Sequence, residues 1–117
     1  MLIKDESLLD TFRGPGICEM CRKWVTYRSP HHVVCRGIGG GSRCDIRENL
    51  ISLCGPFVGG ENCHDKAQRY ADINRKCWPI IEKREKLNPG EAEGRVRAML
   101  LGVAYCPEEA DCDWNSF

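Results

Sequence analysis

Apolar and polar positions change their spacing along this chain, and the changes predict where strands give way to helices. Leu2 to Phe12 reads as a short helix or arm, with Leu8, Leu9 and Phe12 spaced to share one face. Gly14-Pro15-Gly16 is expected to end it. Trp24 to Tyr27 has the aromatic and β-branched content of a strand. Pro30 straightens the chain into His31-His32-Val33-Val34-Cys35, which predicts a second strand. Arg36 to Glu48, with four glycines and five charged residues, reads as a loop. Leu50-Ile51-Ser52-Leu53 is apolar enough to return as a strand, so these runs predict a hairpin with a long connection.

After a second loop over Gly55 to Asn62, ending at Cys63-His64, the period becomes helical. Ala67, Tyr70, Ala71, Asn74, Cys77 and Trp78 fall on helical spacing, and Pro79 must kink this helix or begin another that runs to about Leu87. Asn88-Pro89-Gly90 breaks the pattern. Glu91 to Leu101 predicts a last amphipathic helix with Val96, Met99 and Leu100 inward and Gly102 just past its end. The remaining tail is acidic and aperiodic. The expected class is therefore α+β.

A length of 117 residues supports one domain with a small core. We divide it into an N-terminal arm over 1–16, a central unit over 17–87, and a C-terminal helix with an acidic tail over 88–117. Nine cysteines offer a staple for so small a core. The polar start of the chain does not read as a signal peptide, and no run is long enough to span a membrane. The expectation is thus a cytoplasmic protein whose cysteines serve as metal ligands or buried apolar residues rather than as disulfides. An odd count agrees, since nine cannot all pair.

Formal net charge is zero, but its distribution is uneven. Residues 13–49 carry seven Lys/Arg against three Asp/Glu, residues 66–86 again seven against three, and residues 87–117 two against six. The basic charge surrounds the histidines, although charge of this kind is also what an ordinary solvated surface carries.

Cys18 and Cys21 form a Cys-x2-Cys turn, which can aim two thiolates at one ion; zinc takes four ligands in a tetrahedron. A thioredoxin-type redox pair would want a strand-helix unit, and none precedes it. All three histidines, His31, His32 and His64, fall around the predicted hairpin. Neighbouring residues on a strand point to opposite faces, so His31 and His32 would seldom share one task. One can hold a metal while the other faces a water. A histidine beginning a helix across the hairpin could return to that metal, giving a cation for a phosphate oxygen and a free imidazole to deprotonate water.

His31-His32-Val-Val-Cys-Arg-Gly-Ile-Gly-Gly-Gly, then Asn49-Leu-Ile-Ser-Leu-Cys54 and Cys63-His64, resembles the HNH endonuclease motif, and Cys18-x2-Cys21 resembles its zinc-stapled branch. The likeness covers roughly residues 18–75, leaving 1–15 and 88–117 outside it. It implies a small ββα-metal core with a structural zinc, followed by C-terminal helices. By position it makes His32 the general base and His31 and His64 ligands of a catalytic divalent cation, Mg2+, Mn2+, Ni2+ or Zn2+. Asn49 would brace the loop between the strands, although in some members the equivalent residue approaches the metal. Cys18, Cys21, Cys54 and Cys63 would hold structural zinc. Arg36 would face the phosphate backbone, and Arg43 and Arg47 lie in the same basic stretch as candidate DNA contacts.

The chain departs from that pattern twice. Cys35 stands where the family often has Pro, and eight residues separate Cys54 from Cys63 where the family has a few. Cys35, Cys44, Cys106 and Cys112 offer a competing or second metal site, and Cys77 reads as a buried helix residue. The implied function is hydrolysis of DNA by a monomer, which would nick, or by a homodimer; small proteins of this pattern look like phage or mobile-element products. A zinc-stapled module that binds nucleic acid or protein without cutting is the alternative, and a disulfide-stapled secreted protein a distant third.

Overall fold

A computed structural model of the protein describes residues 2–34, 43–55 and 62–101. In chain order these form Leu2–Ile3 (β1), Glu6–Asp10 (α1), Gly14–Ile17 (β2), Trp24–His32 (β3), Arg43–Cys44 (β4) and Leu50–Cys54 (β5). The helices Cys63–Arg69 (α2), Ala71–Arg75 (α3), Cys77–Glu85 (α4) and Glu91–Leu101 (α5) follow. The class is α+β: a three-stranded antiparallel sheet in the order β2-β3-β5, a two-stranded parallel pair β1-β4, and helices.

The predicted hairpin is present, with His31 opposite Ile51 and His32 opposite Leu50. Its first arm is one strand of nine residues rather than two short ones. Pro30 lies within it, opposite Ser52. β2 flanks β3 only as far as Arg28, so at Pro30 the strand has a neighbour on one side alone and a residue without an N–H is tolerated. β2 itself occupies the Gly14-Pro15-Gly16 stretch that reads as a breaker, with a register irregularity between Gly14 and Gly16. Its positive-φ glycines bend the strand while Arg28 ties it down, Nε donating to the Gly14 carbonyl at 3.1 Å. Residues 2–16 are thus woven into both sheets. β4, inside the expected loop, pairs with β1.

All of β5 is buried, which is why its sequence is a nearly unbroken apolar run. Ile51 and Leu53 pack with Val33, Ala67, Cys77, Ile81 and Ala92 in the main core, while Leu50 packs with Leu9 and Phe12. Where β5 has no strand beside it, Glu19 substitutes for one: its N–H donates to the Ser52 carbonyl and its carboxylate accepts from the Ser52 N–H, both at 2.9 Å. Arg84 of α4 fastens this corner, its Nη1 on both oxygens of Glu19 and its Nη2 on the carbonyls of Arg47 and Leu50. The bonds to Ser52 and Leu50 take strand-edge groups that would otherwise be open to another chain.

The long helical stretch is divided. Tyr70 is extended (φ −118, ψ 116), which ends α2 and swings α3 toward β3. Pro79 then sits in the first turn of α4, where a missing N–H costs no helical bond. α5 has the expected bounds, but its buried residues are Ala92, Val96 and Ala98, and Met99 is exposed. The small Ala92 packs with Cys77 and Ile81 of α4, whose buried Glu82 accepts from the Ala92 N–H at 3.1 Å. Among the described residues no helix is long and apolar enough to cross a membrane.

Candidate functional site

The sulfurs of Cys18, Cys21, Cys54 and Cys63 all lie within 4.8 Å of one another. Four sulfurs around a zinc with Zn–S of about 2.3 Å would be about 3.8 Å apart. Cys21 and Cys54 stand at 3.9 Å. The first two ligands come from a tight turn in which the Cys18 N–H donates to the Lys23 carbonyl and the Arg22 N–H to the Cys18 carbonyl, with Arg22 left-handed at φ +66. The other two come from the end of β5 and the start of α2, and the Cys63 N–H donates to the Cys54 sulfur at 3.4 Å. The eight intervening residues therefore do not prevent the second pair from converging. Gly55 (φ +108) makes that corner possible, because a Cβ there would collide with the side chain of Asn62, the N-cap of α2.

Burial, and behind it the charge of Cys18, pushes the Cys63 thiol far up; Cys54 is raised too, with burial the largest cause. At Cys18 burial also pushes upward, but hydrogen bonds led by the Cys21 N–H outweigh it and hold the thiol below its usual range. A metal cation at the centre favours the thiolate at every position and removes this conflict. The residues fit a structural metal such as zinc. Among the described residues this is the cluster of three or more ligating side chains that could hold an ion. The described cysteines form no disulfide. Cys44 and Cys77 are buried apart from this cluster, with burial pushing them up to about 11 and about 12. Cys35, Cys106 and Cys112 lie outside the described residues.

One residue beyond Cys63, His64 enters a cleft of about 520 Å3 that His31 and His32 also line. The His31 and His64 rings meet edge to face with centroids 5.5 Å apart. His31 is buried, and its Nε2 lies 2.6 Å from Asn74 Oδ1. Asn74 in turn donates to the Val33 carbonyl at 2.9 Å, so α3 fixes both the ring and the end of β3. Burial, ahead of the neighbouring histidines, lowers His31 to about 4, and burial likewise lowers His64. Both are neutral at pH 7, the form that ligates a cation. His32, on the same cleft, has a different partner, its Nε2 lying 2.7 Å from Asp45 Oδ1.

Asn49 is fully buried and spends its carboxamide on backbone. Its Oδ1 accepts from the Val34 N–H at 2.8 Å, and its Nδ2 donates to the carbonyls of Cys44 and Val34 at 2.9 and 3.2 Å. It thereby joins the two ends of the connection between β3 and β4. Arg47 does not line the cleft; it is committed to Glu85, with Nε 3.0 Å from Oε1 and Nη2 2.9 Å from Oε2, and lies over Phe12. A bidentate carboxylate satisfies the guanidinium that a phosphate would otherwise take. Arg36 and the side chain of Arg43 lie outside what is described. Arg13, with one nitrogen of its guanidinium held by Asp10 Oδ1, lines the cleft, as does Gln68 of α2.

Sequence reasoning missed Asp45 and Asn74, the two partners that orient the histidines. Neither has a local signal, because Asp45 sits in a stretch that reads as loop and Asn74 on one that reads as helix. No family model matches the chain, and neither a curated protein nor a solved structure matches it.

Proposed function

We propose that the chain is a metal-dependent endonuclease of the HNH type that hydrolyses DNA phosphodiester bonds, with His32 as general base and His31 and His64 holding a divalent cation. The observation that carries this reading is the convergence of all three imidazoles on one cleft, with His64 next to the four-cysteine corner and Asn49 bracing the loop.

The donor set fits a cation. Two neutral imidazoles bound to one ion at about 2.1 Å have ring centroids roughly 5–6 Å apart, and His31 and His64 stand at 5.5 Å. A pair of ligands leaves positions for water and phosphate oxygens, as an open catalytic site requires. When bound, such a cation would offset negative charge on the phosphate and on the leaving oxygen. The chain's own residues do the rest. His32 takes a proton from the water that attacks phosphorus. Asn74 occupies Nε2 of His31, which leaves Nδ1 as the nitrogen that would bind a cation. Arg13, ion-paired with Asp10 yet 41% exposed on its side chain, is a cation the cleft wall offers to the phosphate backbone.

A second reading, a zinc-stapled module that binds nucleic acid or protein without cutting, is favoured by one observation: the cysteines alone make a cluster of three or more candidate ligands among the described residues. Incubation with supercoiled plasmid and Mg2+, Mn2+, Ni2+ or Zn2+ in turn, with chelator as control, separates the two. Cleavage by the wild type is expected, with a loss of about 10²–10⁴ in rate for His32→Ala at unchanged DNA affinity. His31→Ala and His64→Ala should regain part of their activity at high metal concentration, and His32→Ala should not. A folded, zinc-loaded His32→Ala that cuts at the wild-type rate would leave the non-cutting module as the better account.

A further inference from the structure

We infer that Asp45 is a positioning residue for the general base: its buried carboxylate holds His32 in the tautomer whose Nδ1 carries the basic lone pair. The inference rests on the nuclease reading above. The Asp45 side chain is 0% exposed, and its two oxygens face two different groups. Oδ1 lies 2.7 Å from His32 Nε2, and Oδ2 accepts from the Asp5 N–H at 2.8 Å.

The geometry decides which nitrogen bears the proton. A carboxylate oxygen at this distance from an unprotonated nitrogen would set two lone pairs against each other, so Nε2 must be the donor. The ring nitrogen that can then accept a proton is Nδ1. As the attacking water gives up a proton to Nδ1, the electron pair of the broken O–H bond forms the new bond to phosphorus. The pair of the breaking P–O bond leaves with the departing oxygen, which is protonated by solvent. His32 becomes an imidazolium in contact with the Asp45 carboxylate, which stabilises it as it forms and keeps the ring from turning.

The carboxylate is itself held from outside the hairpin. The Asp45 N–H donates to the Ile3 carbonyl at 2.9 Å, and Ile3 pairs with Cys44 across β1 and β4. Asp5 then caps α1, its carboxylate accepting from the Leu8 N–H at 3.0 Å. The N-terminal segment therefore sets the position of Asp45, and through it the base. The part of the chain that the sequence resemblance leaves uncovered contributes to the site.

The test uses the full-length, zinc-loaded protein and two readouts. In a long-range proton–nitrogen correlation spectrum of histidine-labelled protein, wild-type His32 is expected as the Nε2–H tautomer. In Asp45→Asn a single amide oxygen must serve either the Asp5 N–H or His32, so the tautomers should mix. On supercoiled plasmid with Mn2+, Asp45→Asn should lower kcat by about 10–100-fold while KM stays within about twofold and zinc content is unchanged. Asp45→Ala, if it folds, should show the same split. Wild-type His32 in the Nδ1–H form, or an unchanged kcat in Asp45→Asn, overturns the role of Asp45. A wild type that cuts no DNA overturns instead the nuclease reading on which that role depends.

Discussion

Asn49 makes three hydrogen bonds to backbone without exposing any of its side chain, and no other residue type of its size can both accept from Val34 and donate to Val34 and Cys44. Asn49→Ala would leave those groups unsatisfied in a place water reaches poorly. The cost should be on the order of 3 kcal/mol, read as a lower urea midpoint at unchanged slope. Asn49→Asp should cost at least as much, because a carboxylate cannot donate to either carbonyl and would be buried as a charge. A midpoint within error of wild type for Asn49→Ala would mean the loop is held by other contacts. His31 depends on a partner in the same way: its ring is placed by Asn74, a residue forty-three positions away in sequence.

At the scale of elements, the four-cysteine corner joins three pieces of the chain: the turn after β2, the end of β5 and the start of α2. α2 has only seven residues, too short to be stable on propensity alone. A metal that holds Cys63 therefore holds the first turn of α2, and with it His64. About one zinc per chain is expected by elemental analysis of purified protein. Stripping it should abolish the near-ultraviolet signal of the folded core, because small zinc sites contribute folding energy directly. Cys54→Ser should lower zinc retention in the same way. A fully folded sample without metal would remove the cysteine corner as a metal centre; two zincs per chain would draw in the histidines or the other cysteines.

For the whole molecule, a net charge of zero hides how its basic side chains are used. Arg47 and Arg84 are bound to Glu85 and Glu19, Arg13 to Asp10, Arg69 to Asp65, Arg95 to Glu48 and Glu91, and Arg97 to Glu93. The two basic stretches are therefore less available to phosphate than their charge counts suggest. If DNA lies in the histidine cleft, a footprint of about four phosphates would give a log-log salt slope of about −3.6. Arg13→Ala should flatten it by about one phosphate and weaken all sequences alike. Affinity that does not change with salt would argue against a nucleic-acid partner altogether.

The strand Leu50–Cys54, the helix Glu91–Leu101 and the hairpin that brings His31 and His32 beside β5 were legible in the sequence, because each depends on a local period or on apolar content that burial rewards directly. The grouping of Cys18 and Cys21 was legible too, since a short turn alone brings their sulfurs together. Tertiary structure decided the rest. β2 forms from a Gly-Pro-Gly stretch because β3 is there to pair with, and the helix breaks at Tyr70 where no residue signals a stop, turning Asn74 onto His31. Asp45 meets His32 only because β1 pairs with β4 and delivers the Asp5 N–H to its carboxylate. Periodicity records which side of an element faces the core. It carries no record of which distant side chain hydrogen-bonds a given imidazole, since that depends on how elements far apart in the chain pack.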